Sequence, residues 1–321
     1  MHIDLSQLLP IKKVEWFEQS RESMSDPNIK VEKEATVIEI LSLLHPSAKK
    51  NSLRRMVDHG RVLVDGVKIS RANIKISPGT TLTVLSKSDG DETSGKYKSS
   101  IPEPEVLFSD KSVIVVNKPA GLLSVATDRG EFDTMFSRVF AWAWENGRTR
   151  AHLVHRLDRE TSGCLIFARS SEIKDMLQEQ FKDRTIERIY HAVVHGQPPT
   201  DSGIETGRIQ EMKDKRTRLV PSDRRAGKSA ITNWWLEKKG PEHSLVRIKI
   251  DTGRRAQIRL HMANLGCPVI GDTRHGFGKA SINRLCLHAS SLTFKHPNGE
   301  QLKVESQIPR QLISELTRRL G

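Results

Sequence analysis

A chain of 321 residues holding 52 Lys and Arg against 39 Asp and Glu has a formal charge of +13, an excess that points to a polyanionic partner, nucleic acid being the commonest. Its 36% hydrophobic and 28% charged residues suit a globular protein with a wet surface and, at this length, more than one domain. No apolar run approaches the roughly 18 residues that span a bilayer, no secretory signal marks the amino terminus and no basic amphipathic helix speaks for a membrane surface, so a cytosolic protein is expected.

Residues 1–34 read as a polar, irregular extension around Trp16-Phe17, with Met24 offering a second start. Residues 35–86 make a small unit. Val37, Ile38, Ile40, Leu41 and Leu44 recur at helical spacing, and Leu53, Met56 and Val57 do so again after Pro46, which predicts two short helices. Gly60 stops the second. Arg61–Ile69 then reads as a hairpin turning at Asp65-Gly66, and a last strand covers Thr80–Leu85. Between Lys49 and Lys75, eight Lys or Arg face only Asp58 and Asp65. The pairs Lys49-Lys50 and Arg54-Arg55, with Arg61 beyond them, put charge along one side of the second helix. Such a row can follow a phosphate backbone or be a solvated face.

Residues 87–104 read as a flexible linker and a domain boundary, with Tyr97 and Ile101 their large apolar side chains. Gly90–Lys96 nearly spells a phosphate-cradling loop, but Tyr97 stands where a small hydroxyl should reach magnesium, and Pro102 and Pro104 prevent the following helix. A nucleotide triphosphatase is therefore rejected.

The second domain, residues 105–321, opens with a short apolar strand, Val113–Val116, running into Asn117-Lys118-Pro119-Ala120-Gly121. Lys118 there is a phosphate contact or a plain surface lysine. After a helix around Phe132–Trp144 comes His155-Arg156-Leu157-Asp158-Arg159-Glu160-Thr161-Ser162-Gly163, a polar turn followed by the apolar run Cys164–Ala168. Asp158 lies between two arginines, whose charge favours its ionised form. That suits a nucleophile or an electrostatic stabiliser; it also suits a turn acid paired with its neighbours.

A helix is predicted over Glu172–Phe181 and a half-buried strand over Thr185–Val194. Residues 213–228 read as an exposed basic loop that meets a ligand's backbone or lies disordered without it. Strands at Ala230–Lys238 and Ser244–Ile250 precede a Thr252-Gly253 turn that opens a helix. On that helix Arg255 and Arg259, like Ile258 and Met262, lie four apart, which predicts one face on the core and one on a ligand. A strand pair around Leu285–Phe294 and a helix over Pro309–Leu320 complete the domain.

Many short strands without regular strand–helix alternation indicate an α+β fold with a mixed, largely antiparallel sheet. The dinucleotide, zincin and hydrolase-elbow signatures are missing. Cys164, Cys267 and Cys286 lie in or beside apolar runs and read as reduced core residues. His152 and His155 lack a placed third ligand and read as structural.

Two resemblances combine these pieces. "GRVLVDGVKISRANIKISPGTTLTV" and the helices before it resemble the small S-four-like RNA-binding domain, which implies RNA binding through the second helix and the hairpin. "VVNKPAGLLSV", "HRLDRETSGCLIFAR", "ERIYHAVVHG" and "TGRRAQIRLHMANLGCPVIGD" are similar, in order and spacing, to RluA-type RNA pseudouridine synthases over residues 105–320. That resemblance implies an isomerisation in which the uracil of a chosen uridine is detached, turned and rejoined through carbon, with no cofactor, redox partner or metal. It makes Asp158 the catalytic carboxylate, Tyr190 the aromatic that stacks on the flipped base, and Arg259 the arginine that pairs with the catalytic acid. Leu287 becomes the floor of the uracil pocket. Arg156, Lys118 and residues 213–228 are implied phosphate contacts, a role also open to Arg254 and Arg255.

Ala256 departs from the histidine usual before the glutamine, and His275 from a usual tyrosine, which bears on substrate preference. The expected partner is RNA, ribosomal before transfer RNA, bound by a monomer. Two other classes stay open: a non-catalytic RNA-binding factor, and a glycoside or nucleoside hydrolase with Glu160 as its second carboxylate.

Overall fold

The computed structural model describes residues 28–69, 71–85, 102–127, 131, 133–147, 149–212, 214, 216–220, 226–276 and 282–317. The chain divides into two compact units. One takes it up to Pro102 together with residues 127–132; the other is Glu103–Ala126 with Asp133–Gly321. Met24 and most of the expected linker lie outside the described residues.

The first unit runs β1 (Asn28–Lys30), β2 (Ala35–Thr36), α1 (Val37–Leu44), α2 (Lys50–Asp58), β3 (Val62–Val64), β4 (Val67–Lys68), β5 (Lys75–Ile76) and β6 (Thr81–Val84). Helix α1 starts where Thr36 and Glu39 form a reciprocal capping box, which satisfies amide donors the first turn leaves orphaned. Val37, Leu41, Leu53, Val57, Val62 and Leu82 meet in a fully buried core. The hairpin turns at Asp65 (φ 49°) and Gly66 (φ 78°), the two left-handed residues of a tight two-residue turn.

This unit begins earlier than the sequence suggests. β1 pairs antiparallel with β6, Asn28 opposite Thr83, and buries Ile29 and, just beyond, Val31. Two apolar side chains at spacing two are too short a signal to stand out in a polar stretch. Lys49, Lys50, Arg54 and Arg55 are exposed along α2. Arg61 is not: its Nε and Nη2 donate to the Leu85 carbonyl at 3.0 and 2.8 Å, so its guanidinium ties the hairpin to the end of β6 rather than facing a phosphate.

The second unit runs β7 (Glu105–Ser109), β8 (Val113–Lys118), α3 (Met135–Glu145), β9 (His152–Leu153), β10 (Ser162–Ala168), α4 (Ser171–Lys182), β11 (Glu187–His195), β12 (Ser202–Glu211), β13 (Thr217–Val220), β14 (Lys228–Lys239), β15 (His243–Ile250), α5 (Gln257–Asn264), β16 (Leu287–Lys295), β17 (Gln301–Glu305) and α6 (Arg310–Thr317). The strands form one 11-stranded sheet in the order β13-β12-β14-β15-β11-β16-β10-β8-β7, with β17 on β16 and β9 on β10. Among the described strands only β10 and β16 run parallel, so the sheet is mixed and largely antiparallel, as expected.

Alternation explains why β8 and β10 read as unbroken apolar runs. Val113, Val115, Cys164 and Ile166 face one core, with Leu177 of α4 and Phe294. Ile114, Val116, Leu165 and Phe167 face the other, with Met135 and Val139 of α3, Met262 of α5 and Leu316 of α6. All three cysteines are buried and free. Part of the expected basic loop is ordered: residues 217–220 are β13, paired with β12 from Arg208 opposite Val220 to Glu211 opposite Thr217. Residues 213, 215 and 221–225 lie outside the described residues.

The parallel contact brings Gly163 against Ala289. Gly163 has φ 114°, and a Cβ there would run into the Ala289 carbonyl. Gly163→Ala is expected to lower stability by about 3 kcal/mol, combining backbone strain with overpacking. The denaturant midpoint checks this; a shift worth less than about 1 kcal/mol would contradict it.

Candidate active site

The polar turn between Val154 and β10 is clamped on both sides of Asp158. Before it, the Leu157 N–H donates to Ser124 Oγ at 3.0 Å, while that hydroxyl donates to the Leu157 carbonyl at 2.7 Å. After it, the Arg159 carbonyl accepts from the Gly121 N–H at 2.9 Å, and Arg159 Nε returns a bond to the Gly121 carbonyl at 2.9 Å. Leu157 is buried between these clamps and Asp158 is half-buried. The stretch from Lys118 to Ser124 thus serves as the brace of the turn.

Lys118 belongs to that brace and is corrected accordingly. Its side chain has no exposed surface, and Nζ donates to the carbonyls of Pro119 (2.9 Å), Leu122 (2.7 Å) and Arg159 (3.1 Å). Burial pushes its pKa down to about 7, against the pull of Glu160 and Asp158. It cannot meet a phosphate. The register explains why: Lys118 pairs opposite Gly163, which has no side chain to displace it.

A cleft of about 760 Å³ gathers the other expected residues: Arg156, Asp158, Tyr190, Arg254, Arg259 and Leu287 all line it. They come from four stretches separated in sequence. Tyr190 projects from β11, 7% exposed; burial pushes its phenol pKa up, Arg188 opposes the rise and Asp158 adds to it, so the phenol keeps its proton at neutral pH. Leu287 opens β16, buried. Arg156 is exposed at the rim, and Arg254 Nε donates to the Ser229 carbonyl at 3.0 Å.

Arg259 is placed in the cleft but not paired as expected. Its Nε and Nη2 fork onto Asp272 at 2.8 and 2.6 Å, with side-chain exposures of 8% and 1%. Burial alone would lower the Arg259 pKa; the bonds and charge of Asp272, and then the charge of Asp158, raise it overall. Asp272 Oδ1 also accepts from the Arg274 and His275 N–H groups at 2.9 and 3.0 Å. Arg259 therefore faces Asp158 from a fixed anchor. Its fork uses Nε and one side of Nη2, which leaves the Nη1 donors for the cleft.

Helix α5 also differs from expectation. It starts at Gln257, so Arg255 precedes it, and Gln257–Met262 are all buried; it meets the cleft through its first turn, Gln257, Ile258 and Arg259, rather than along one exposed face. The reason is Ala256, whose φ of 54° is left-handed and turns the chain sharply just before the helix. That turn points the Ala256 N–H at Asp158 Oδ2, 3.3 Å away. Gln257 fastens the preceding loop: Oε1 accepts from Thr252 Oγ1 (2.7 Å) and the Arg254 N–H (3.1 Å), while Nε2 donates to the Ile231 carbonyl and Thr232 Oγ1. His155 is structural, as expected. Its Nε2 accepts from the Ile166 N–H at 3.3 Å, its ring lies 4.7 Å from that of Phe181, and burial pushes its pKa down to about 3.

Sequence reasoning missed the roles of Asp272 and Arg188, and it named Ala256 for its side chain and not for its backbone. Arg188 lies two residues before Tyr190, hence on the same face of β11, and lines the cleft. That spacing was a usable signal; nothing local announced the other two.

A family model described as RNA pseudouridylate synthase matches residues 112–264. An uncharacterized RNA pseudouridine synthase of Bacillus subtilis, YlyB, is 32% identical over 82% of this chain and 87% of its own length. The ribosomal large subunit pseudouridine synthase D of Neisseria meningitidis serogroup B is 33% identical over 85% of this chain and 75% of its own length. Among solved structures, human RNA pseudouridylate synthase domain containing 4 superposes with a TM-score of 0.57 and 25% identity, over 66% of this chain and 91% of that one. With relatives at 32% and 33% identity matched over more than four fifths of its length, the chain belongs to the RNA pseudouridylate synthase family and is an RNA pseudouridine synthase of the RluA type.

Proposed function

We propose that the enzyme converts specific uridines of large-subunit ribosomal RNA to pseudouridine, with Asp158 as its nucleophile. The convergence of Asp158, Tyr190, Arg259 and Leu287 on one cleft carries this reading. The choice of RNA is supported by relatives named as ribosomal large subunit pseudouridine synthase D.

The reaction breaks the bond between C1′ and N1 of uridine and makes one between C1′ and C5. The proton lost from C5 balances the one gained at N1, so nothing is oxidised or reduced. The Asp158 carboxylate attacks or stabilises C1′ as the glycosidic bond opens. The Ala256 N–H engages Oδ2, which leaves Oδ1 turned to the sugar. Tyr190 stacks on the extruded base and holds a hydroxyl beside it, and Leu287 closes the pocket floor. Arg259, anchored by Asp272, brings positive charge near the Asp158 carboxylate.

Flipping the base out is offset by stacking and by phosphate contacts, for which the exposed Arg156 and the half-buried Arg254 are placed. Lys49, Lys50, Arg54 and Arg55 of α2 offer a second, sequence-independent contact to the RNA backbone. No helix among the described residues is long and apolar enough to cross a membrane.

The test is carbodiimide mapping of transcribed ribosomal and transfer RNA after treatment with the protein. Pseudouridine is expected at discrete large-subunit positions. Modification of transfer RNA alone would overturn the choice of substrate; release of free uracil would point to a hydrolase.

A further inference from the structure

Arg188 is 8% exposed and carries five donors, yet among the described residues its acceptors are two carbonyls. Nη2 reaches Ile250 at 3.3 Å and Asp251 at 3.4 Å, both longer than an ordinary N–H···O bond. Nε is buried without a partner. Nη1 lies beside Gly253, close enough that a Cβ there would sit 2.9 Å from it. No carboxylate among the described residues stands within ion-pair distance. The Phe181 ring covers the guanidinium at 5.5 Å, which fixes its plane and leaves its edge. Burial lowers the Arg188 pKa, and the charges of Tyr190 and Asp251 oppose this without cancelling it.

A buried cation without its anion is costly, and removing water from it is recovered only when an opposite charge arrives. Lys182 and Arg184, both exposed, line the same side of the cleft at the end of α4. The charged group that RNA brings to such a rim is the phosphodiester, which matches the planar guanidinium fork.

We propose that Arg188, with Lys182 and Arg184 at the rim, forms a site for the phosphodiester adjoining the target uridine. This deepens the reading of the cleft given above and rests on it. Gly253 keeps the approach to Nη1 free of a side chain, and Phe181 holds the fork in place before RNA binds.

The test uses the shortest RNA fragment that the wild-type enzyme modifies, with a neutral methylphosphonate at the linkage 5′ or 3′ to the target. Affinities over a salt series and single-turnover rates are measured for wild type, Arg188→Gln and Arg188→Lys. Arg188→Gln should weaken binding about tenfold and flatten the salt slope by about one, and Arg188→Lys should recover most of the loss. One methylphosphonate should weaken the wild type by a similar factor and Arg188→Gln no further. If neither neutral linkage weakens wild-type binding, the site is overturned whatever the variants do. It is likewise overturned if variant and linkage effects multiply at both positions, or if affinity falls with the salt slope unchanged. A wild type that forms no pseudouridine in any RNA would instead count against the function itself.

Discussion

Asp158→Asn is expected to reduce pseudouridine formation by roughly 10⁴-fold or more, the scale seen when a covalent or charge-stabilising group is removed from a catalytic unit. The substitution keeps the shape of the side chain and leaves an oxygen to accept the Ala256 N–H, now 3.3 Å away. It removes the negative charge that faces C1′. Because Asp158 is half-buried and the turn is held by backbone bonds through Leu157 and Arg159, stability should change by less than about 1 kcal/mol. RNA affinity should persist. Single-turnover rates and melting curves check both halves. Turnover within tenfold of wild type would remove Asp158 from the chemistry, and the proposed mechanism with it.

Asp272→Asn is expected to cost about 3–5 kcal/mol of stability at neutral pH, since it leaves a buried guanidinium without its counter-charge. Asp272 is 1% exposed and Arg259 8%, so water cannot replace the lost partner. Burial raises the Asp272 pKa, but the bonds and charge of Arg259 and the N–H groups of Arg274 and His275 outweigh it and hold the carboxyl below its ordinary 3.8. The sign follows from that shift. The native state binds the proton less readily than the unfolded chain, so the ion pair contributes fully above about pH 4 to 5 and is lost as pH falls through the folded value. The gap between wild type and Asp272→Asn in urea unfolding should therefore be constant from pH 5 to 8 and shrink below pH 4. A gap that does not narrow in acid would mean that the fork is not what stabilises the site. Turnover should fall as well, because Arg259 would lose the anchor that aims it at Asp158, and Asp272→Glu should restore part of it.

The contrast between these two residues shows what could be read from the chain. Asp158 stands in a run of nine residues whose turn chemistry, flanking arginines and following apolar strand are all local. The same holds for the Asp65-Gly66 hairpin and the runs Val113–Val116 and Cys164–Ala168. Asp272 lies thirteen residues beyond Arg259 and a hundred and fourteen beyond Asp158, after a glycine turn, and no periodicity marks its carboxyl as the anchor of the site. Lys118 misled for a related reason: a lysine at the exit of a strand looks exposed until the facing position is known to be Gly163.

Local spacing, turn residues and apolar runs by themselves determined the α+β class, the division into two units and the polar turn His155–Gly163 before its buried strand, because those signals act over a few residues. Only the tertiary structure decided the partner of Arg259, the burial of Lys118, the left-handed Ala256 that aims an amide at Asp158, and the unmatched charge of Arg188. Each depends on segments far apart in the chain being brought within hydrogen-bond distance, where burial sets which charges are compensated and which are left for the substrate.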